Sequence, residues 1–146
     1  MDNIKASLSS DQNNFFYIGG FHFLPYYFYL KSIDEKVILL TSSLAIYEYA
    51  KSIDTNIYFL NTIEGDLNLK NPFNSISYLY KVIKFKLRVK FFINQFKGAK
   101  IFHNVECVDI CFLYLLRECR DTKLIKTYKF NNQTKVGPFI KKSFRN

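Results

Sequence analysis

Short uninterrupted apolar runs alternate along this chain with stretches of helical spacing, and that rhythm leaves few folds open. Residues 15–18 (Phe-Phe-Tyr-Ile) stop at Gly19 and Gly20. Residues 36–41 (Lys-Val-Ile-Leu-Leu-Thr), 55–60 (Thr-Asn-Ile-Tyr-Phe-Leu), 99–103 (Ala-Lys-Ile-Phe-His) and 122–128 (Thr-Lys-Leu-Ile-Lys-Thr-Tyr) follow the same pattern. Continuous apolar runs of this length, bounded by turn residues, read as strands buried on both faces. Between them lie four candidate helices. One covers 22–32, with Pro25 tolerated in its first turn, and one covers 44–52, capped by Ser42 or Ser43. A third runs from Pro72 to about Phe96, with Asn71 as its cap and Gly98 as its terminator. The fourth runs from an Asn104 cap to about Arg120.

Strands alternating with helices give a parallel sheet covered on both faces, and right-handed crossovers then favour a doubly wound topology. The fold expected is α/β: a Rossmann-like three-layer domain with a mainly parallel sheet of about five strands. It spans 15–128, after a flexible N-terminus (1–14) and before residues 129–146, which read either as a basic tail or as the start of a missing second domain.

One segment reads two ways. Residues 83–91 alternate apolar and basic, which is a strand signature. The same region also carries Tyr78, Val82, Phe85, Val89, Phe92 and Phe96 at steps of three and four, which is a helix stripe. The stripe is longer, and two parallel strands need a crossover here, so helix is the expectation.

A chain of 146 residues is one domain long and buries a proper core without a disulfide or metal. Three cysteines, an odd number without a C-x-x-C pair, exclude a disulfide scaffold. His103, Cys107 and Cys111 are four apart, but His103 falls on a strand, so a helical ligand stripe fails. The thiols are expected to pack as small apolar groups, and no metal is expected. No run of 18 apolar residues exists, and residues 1–14 have no hydrophobic signal core. A reducing, cytoplasmic setting is expected.

The net charge of +9 is weak evidence for a nucleic-acid partner. Asn, Ile, Lys, Phe and Tyr, the residues of AT-rich coding, supply 72 of 146 positions, and Lys outnumbers Arg 17 to 4. A groove reader concentrates Arg and base-reading groups on one element, so no nucleic acid is expected as a partner. One region does concentrate charge: eight Lys or Arg and no acid lie between positions 67 and 105. Lys81, Lys84, Arg88 and Lys90 sit on the candidate helix there. It reads as a basic amphipathic helix able to face an anionic membrane, or as the solvated outer side of a crossover helix.

In an open parallel sheet, ligands bind at the carboxyl ends of the strands. That rule selects Gly19, Gly20 and His22 after the first strand, Thr41, Ser42 and Ser43 after the second, Asn61 and Glu64 after the third, and His103, Asn104 and Glu106 after the fourth. Gly19 and Gly20 let a ligand approach the backbone, or simply make a tight turn. His22 and His103 are the only histidines. Each can serve as a general base or anion holder, or be a partly buried side chain with a backbone partner. Glu64 and Glu106 can deprotonate a hydroxyl, or belong to a loop and to a helix first turn. The dinucleotide fingerprint, the P-loop and G-x-S-x-G are absent, so no cofactor is expected.

The runs Phe-Phe-Tyr-Ile-Gly-Gly at 15–20, Lys-Val-Ile-Leu-Leu-Thr at 36–41, Asn-Ile-Tyr-Phe-Leu at 56–60 and Lys-Ile-Phe-His-Asn at 100–104 carry a resemblance over about residues 13–128. In element order and texture they resemble the amino-terminal half of bacterial GT-B type surface-polysaccharide glycosyltransferases, the sialyltransferase and polysialyltransferase-like group. The resemblance implies capsule or lipooligosaccharide synthesis. A nucleotide sugar would be the donor substrate, held by a separate carboxyl-terminal domain, and a glycan acceptor would lie on this half. It places the acceptor and a base near the strand-one and later loops, where His22, Glu64 and Glu106 are the positions that could match; Gly19, Gly20, Ser42, Ser43, Asn61, His103 and Asn104 stand as ligand-binding positions by the strand-end rule. The alternative class is a non-catalytic Rossmann-like binding or adaptor domain.

Overall fold

Phe15 and Tyr17 pack on one face of a central sheet while Phe16 and Ile18 pack on the other, so the first apolar run has no side free for a polar residue. The computed structural model describes residues 13–53, 56–60, 72–104 and 110–129. In chain order the elements are β1 (Asn14–Tyr17), a 3₁₀ turn (Phe21–Phe23), α1 (Leu24–Ile33), β2 (Ile38–Thr41), α2 (Leu44–Ser52), β3 (Ile57–Phe59), α3 (Pro72–Gln95), β4 (Lys100–His103), α4 (Ile110–Thr122) and β5 (Lys126–Lys129). All four strand pairings are parallel, in the order β3-β2-β1-β4-β5. This is the three-layer α/β, Rossmann-like arrangement expected from the rhythm of the sequence.

The layers follow from side-chain parity. Phe16, Ile18, Leu39 and Phe102 meet Leu24, Tyr27 and Leu30 of α1 and Ile46 and Ala50 of α2. Phe15, Tyr17, Leu40 and Ile101 meet Phe85, Val89, Phe92 and Ile93 of α3 and Phe112, Leu115 and Cys119 of α4. Burying one such side chain contributes about 1.5–3 kcal/mol. Aromatic edges add specificity on the second face. The Phe92 ring lies 4.9 Å from Phe15 in an edge-to-face contact and 5.0 Å from Tyr58.

The ambiguous segment is helix, and Phe85, Val89 and Phe92 of the expected stripe are its buried face. The Gly98 N–H donates to Leu124 O at 2.8 Å, and Gly98 takes φ 85°, a conformation glycine adopts without a Cβ penalty. Boundaries shift where local chemistry intervenes. The expected 22–32 helix begins as a 3₁₀ turn, closed by Phe23 N–H to Gly20 O, and becomes α-helical at Leu24 beside Pro25. The last strand starts at Lys126 rather than 122, because α4 continues through Thr122 and Lys123 ends it in the left-handed region at φ 57°. The described part of α4 begins at Ile110, so the capping role expected of Asn104 falls on positions outside the described residues.

Candidate functional site at the carboxyl edge of the sheet

From β1 the chain builds outward through β2 and β3, then returns to the other side of β1 with β4 and β5. The reversal puts the topological switch point between β1 and β4, where adjacent crossovers leave in opposite directions. Tyr17 and His103 are the last register partners of those two strands. The edge beyond them is therefore the place where this fold collects functional side chains.

Two strand ends, those of β1 and β2, are tied together there. Tyr17, fully buried and stacked on Phe112 at 4.3 Å, shares a 2.6 Å hydrogen bond with Ser42 across to the end of β2. Thr41 Oγ1 donates to Ile18 O at 2.7 Å and accepts from the Ser43 N–H at 3.1 Å. Ser43 in turn caps α2 by accepting from the Ile46 N–H at 3.5 Å. Ser42 and Ser43 are thus engaged by the fold itself: one buttresses Tyr17 and the other starts a helix.

His103 and Asn104 end β4 with 8% and 2% exposure. Neither His103 Nδ1 nor Asn104 Oδ1 finds a hydrogen-bond partner among the described residues. The His103 ring lies 4.7 Å from Phe112. Burial, assisted by the charge of its register partner Lys129, pushes its pKa down to about 4. The imidazole is therefore neutral at physiological pH, a hydrogen-bonding group rather than a cation.

His22 has the opposite setting. It is exposed, in the 3₁₀ turn after β1, and its ring packs on Phe23 at 3.9 Å between centroids. The ring folds over Gly20 so closely that a Cβ there would stand 2.8 Å from His22 Cε1. Gly20 is extended (φ −150°), so what it contributes is space for the imidazole rather than an unusual backbone.

Comparison with protein-family models, curated proteins and solved structures returns no match to this chain.

The structure brings Gly19, Gly20, His22, Ser42, Ser43, His103 and Asn104 to one edge of the sheet. Asn61, Glu64 and Glu106 lie outside the described residues. Tyr17 was not singled out by sequence reasoning. Its one signal was a phenol at the end of a run buried on both faces, which needs a partner for its hydroxyl. Of the candidate membrane-facing residues, Lys81, Lys84 and Lys90 are exposed. Arg88 is half-buried and turned inward: its guanidinium lies 4.9 Å from the Tyr58 ring and Nε donates to Phe59 O at 3.4 Å, which ties α3 to the outermost strand. Cys111 and Cys119 are buried on α4, and burial together with Glu118 pushes the Cys119 thiol up to about 12. These thiols pack as apolar groups; Cys107 lies outside the described residues. Among the described residues no group of three or more His, Cys, Asp or Glu is placed to hold a metal ion.

Proposed function

We propose that this chain is the acceptor-side, Rossmann-like half of a surface-glycan glycosyltransferase. In this reading the switch-point edge holds hydroxyl groups of a glycan. The observation that carries it is the pair His103 Nδ1 and Asn104 Oδ1, buried at the end of β4 and without partners among the described residues. A buried polar atom left in that state costs about 1–3 kcal/mol, which a ligand group of matching polarity offsets. Asn104 Oδ1 accepts, and a neutral imidazole nitrogen accepts or donates according to its tautomer. Sugar hydroxyls, which both donate and accept, satisfy both, whereas a phosphate meets no positive charge on His103.

In the reaction so proposed, a glycan hydroxyl attacks the anomeric carbon of a nucleotide sugar, the bond to the nucleotide phosphate breaks, and the hydroxyl proton passes to a base. Exposed His22 suits that base better than His103, whose burial disfavours the protonated state the step requires. The donor sugar would be held by a separate domain.

The test is an NMR titration of the isotope-labelled chain with a neutral disaccharide, the same disaccharide bearing a carboxylate, and inorganic phosphate. Saturable shifts of Tyr17, Ser42, His103 and Asn104 with either saccharide, weakened at least tenfold by Asn104→Leu, support the reading. Shifts with phosphate alone replace it with an anion-binding module. Shifts with none of the three remove the acceptor site.

A further inference from the structure

Helix α3 is apolar on two opposite sides. Its core side carries Phe85, Val89, Phe92 and Ile93. On the far side Ile76, Leu79, Tyr80, Ile83, Leu87 and Phe91 are all exposed, from 49% at Ile83 to 65% at Ile76 and Tyr80. Positions 76, 80, 83, 87 and 91 recur at steps of three and four, so they form one stripe along the axis. With about 100° between successive residues, that stripe is centred opposite the side that meets the sheet. It is about 22 Å long at 1.5 Å per residue.

Charge is arranged around the stripe. Lys84 lies on one flank and Lys90 on the other, while Lys86 turns toward α4 with its ammonium 5.5 Å from the Tyr114 ring. No Asp or Glu occurs anywhere in α3. Long lysine stems lying beside an apolar stripe can hold their ammonium groups at headgroup level while the stripe enters the acyl boundary.

We infer that the outward face of α3 lies on an anionic phospholipid surface, with Ile83, Leu87 and Phe91 buried among acyl chains and Lys84 and Lys90 at the phosphates. Charge complementarity selects this occupant. A second copy of the chain would bring the same lysines against one another with no carboxylate on either helix to pair them. The helix lies flat, since no helix among the described residues is long and apolar enough to cross a membrane. This inference is independent of the acceptor reading and survives its failure.

The chain contains no tryptophan, so Phe91→Trp places a single reporter on the stripe. With phosphatidylcholine vesicles containing phosphatidylglycerol, its emission should shift to the blue and be quenched by brominated acyl chains. Vesicles of phosphatidylcholine alone should bind at least tenfold more weakly, and high salt should release the chain. The pairs Leu87→Ser with Phe91→Ser, and Lys84→Glu with Lys90→Glu, should each lower partitioning at least tenfold in chains whose circular dichroism is unchanged. An unshifted reporter, equal binding to neutral vesicles, or serine variants that bind as before would overturn the inference. So would a dimer in sedimentation that Phe91→Ser disperses while vesicle binding is absent, because the stripe would then be a subunit interface.

Discussion

The Tyr17 hydroxyl and Ser42 Oγ lie 2.6 Å apart, buried, joining the last residue of β1 to the first residue beyond β2. The contact sits between the two strand ends that frame the candidate site on its β2 side, and the same tyrosine ring stacks on Phe112 of α4. One side chain therefore couples the sheet edge to the helix that follows β4.

Tyr17→Phe keeps the ring stacked and removes only the hydrogen bond. It should cost about 1 kcal/mol, whereas Tyr17→Ala should cost about 3–5 kcal/mol through lost packing. Urea denaturation of the two variants separates these terms. A Phe variant as unstable as the Ala variant would show that the hydroxyl, not the ring, holds the edge.

Stability should fall as the solution is acidified through the range set by His103. The unfolded chain binds a proton at an imidazole near pH 6.5, while the folded chain does not bind it until about pH 4. Proton uptake by the unfolded state therefore draws the equilibrium toward unfolding across that window. Between pH 7 and 5 the loss should be about 2 kcal/mol. His103→Gln, which cannot titrate, should flatten this part of the profile. An unchanged slope would place the effect elsewhere.

Phe91 and Phe92 are neighbours in sequence on opposite sides of α3, one 58% exposed and the other fully buried. Phe92→Ala should cost about 3–5 kcal/mol, because it opens a cavity among Phe15, Tyr58 and Phe96. Phe91→Ser should stay within about 0.5 kcal/mol of the parent. Thermal or urea melts of both variants check the assignment of the two faces.

The order of elements, the parallel sheet and the residues that reach its carboxyl edge were legible in the sequence. Each rests on local physics: continuous apolar strands, a serine at 42 or 43 as a cap, Gly98 as a terminator, and a stripe through Phe85 and Phe92 whose helical spacing runs longer than the strand-like alternation over 83–91. Placing Gly20, His22, Ser42, His103 and Asn104 on one edge needed no more than the rule that parallel strands all point one way. Three things were decided by tertiary structure. Tyr17 and Ser42 are 25 positions apart, and only strand pairing brings their hydroxyls together. His103 and His22 are the same residue type, and tertiary packing buries one against Phe112 beside Lys129 while the other stands in solvent. On α3 periodicity picked out the stripe through Phe85, Val89 and Phe92, which the sheet covers, but not the second apolar stripe through Ile83, Leu87 and Phe91, which stays exposed. Packing on Phe15 and Ile101 chose the Phe92 side and left the Phe91 side facing out, because a helix against a sheet buries one stripe and can bury no second one on the same sheet.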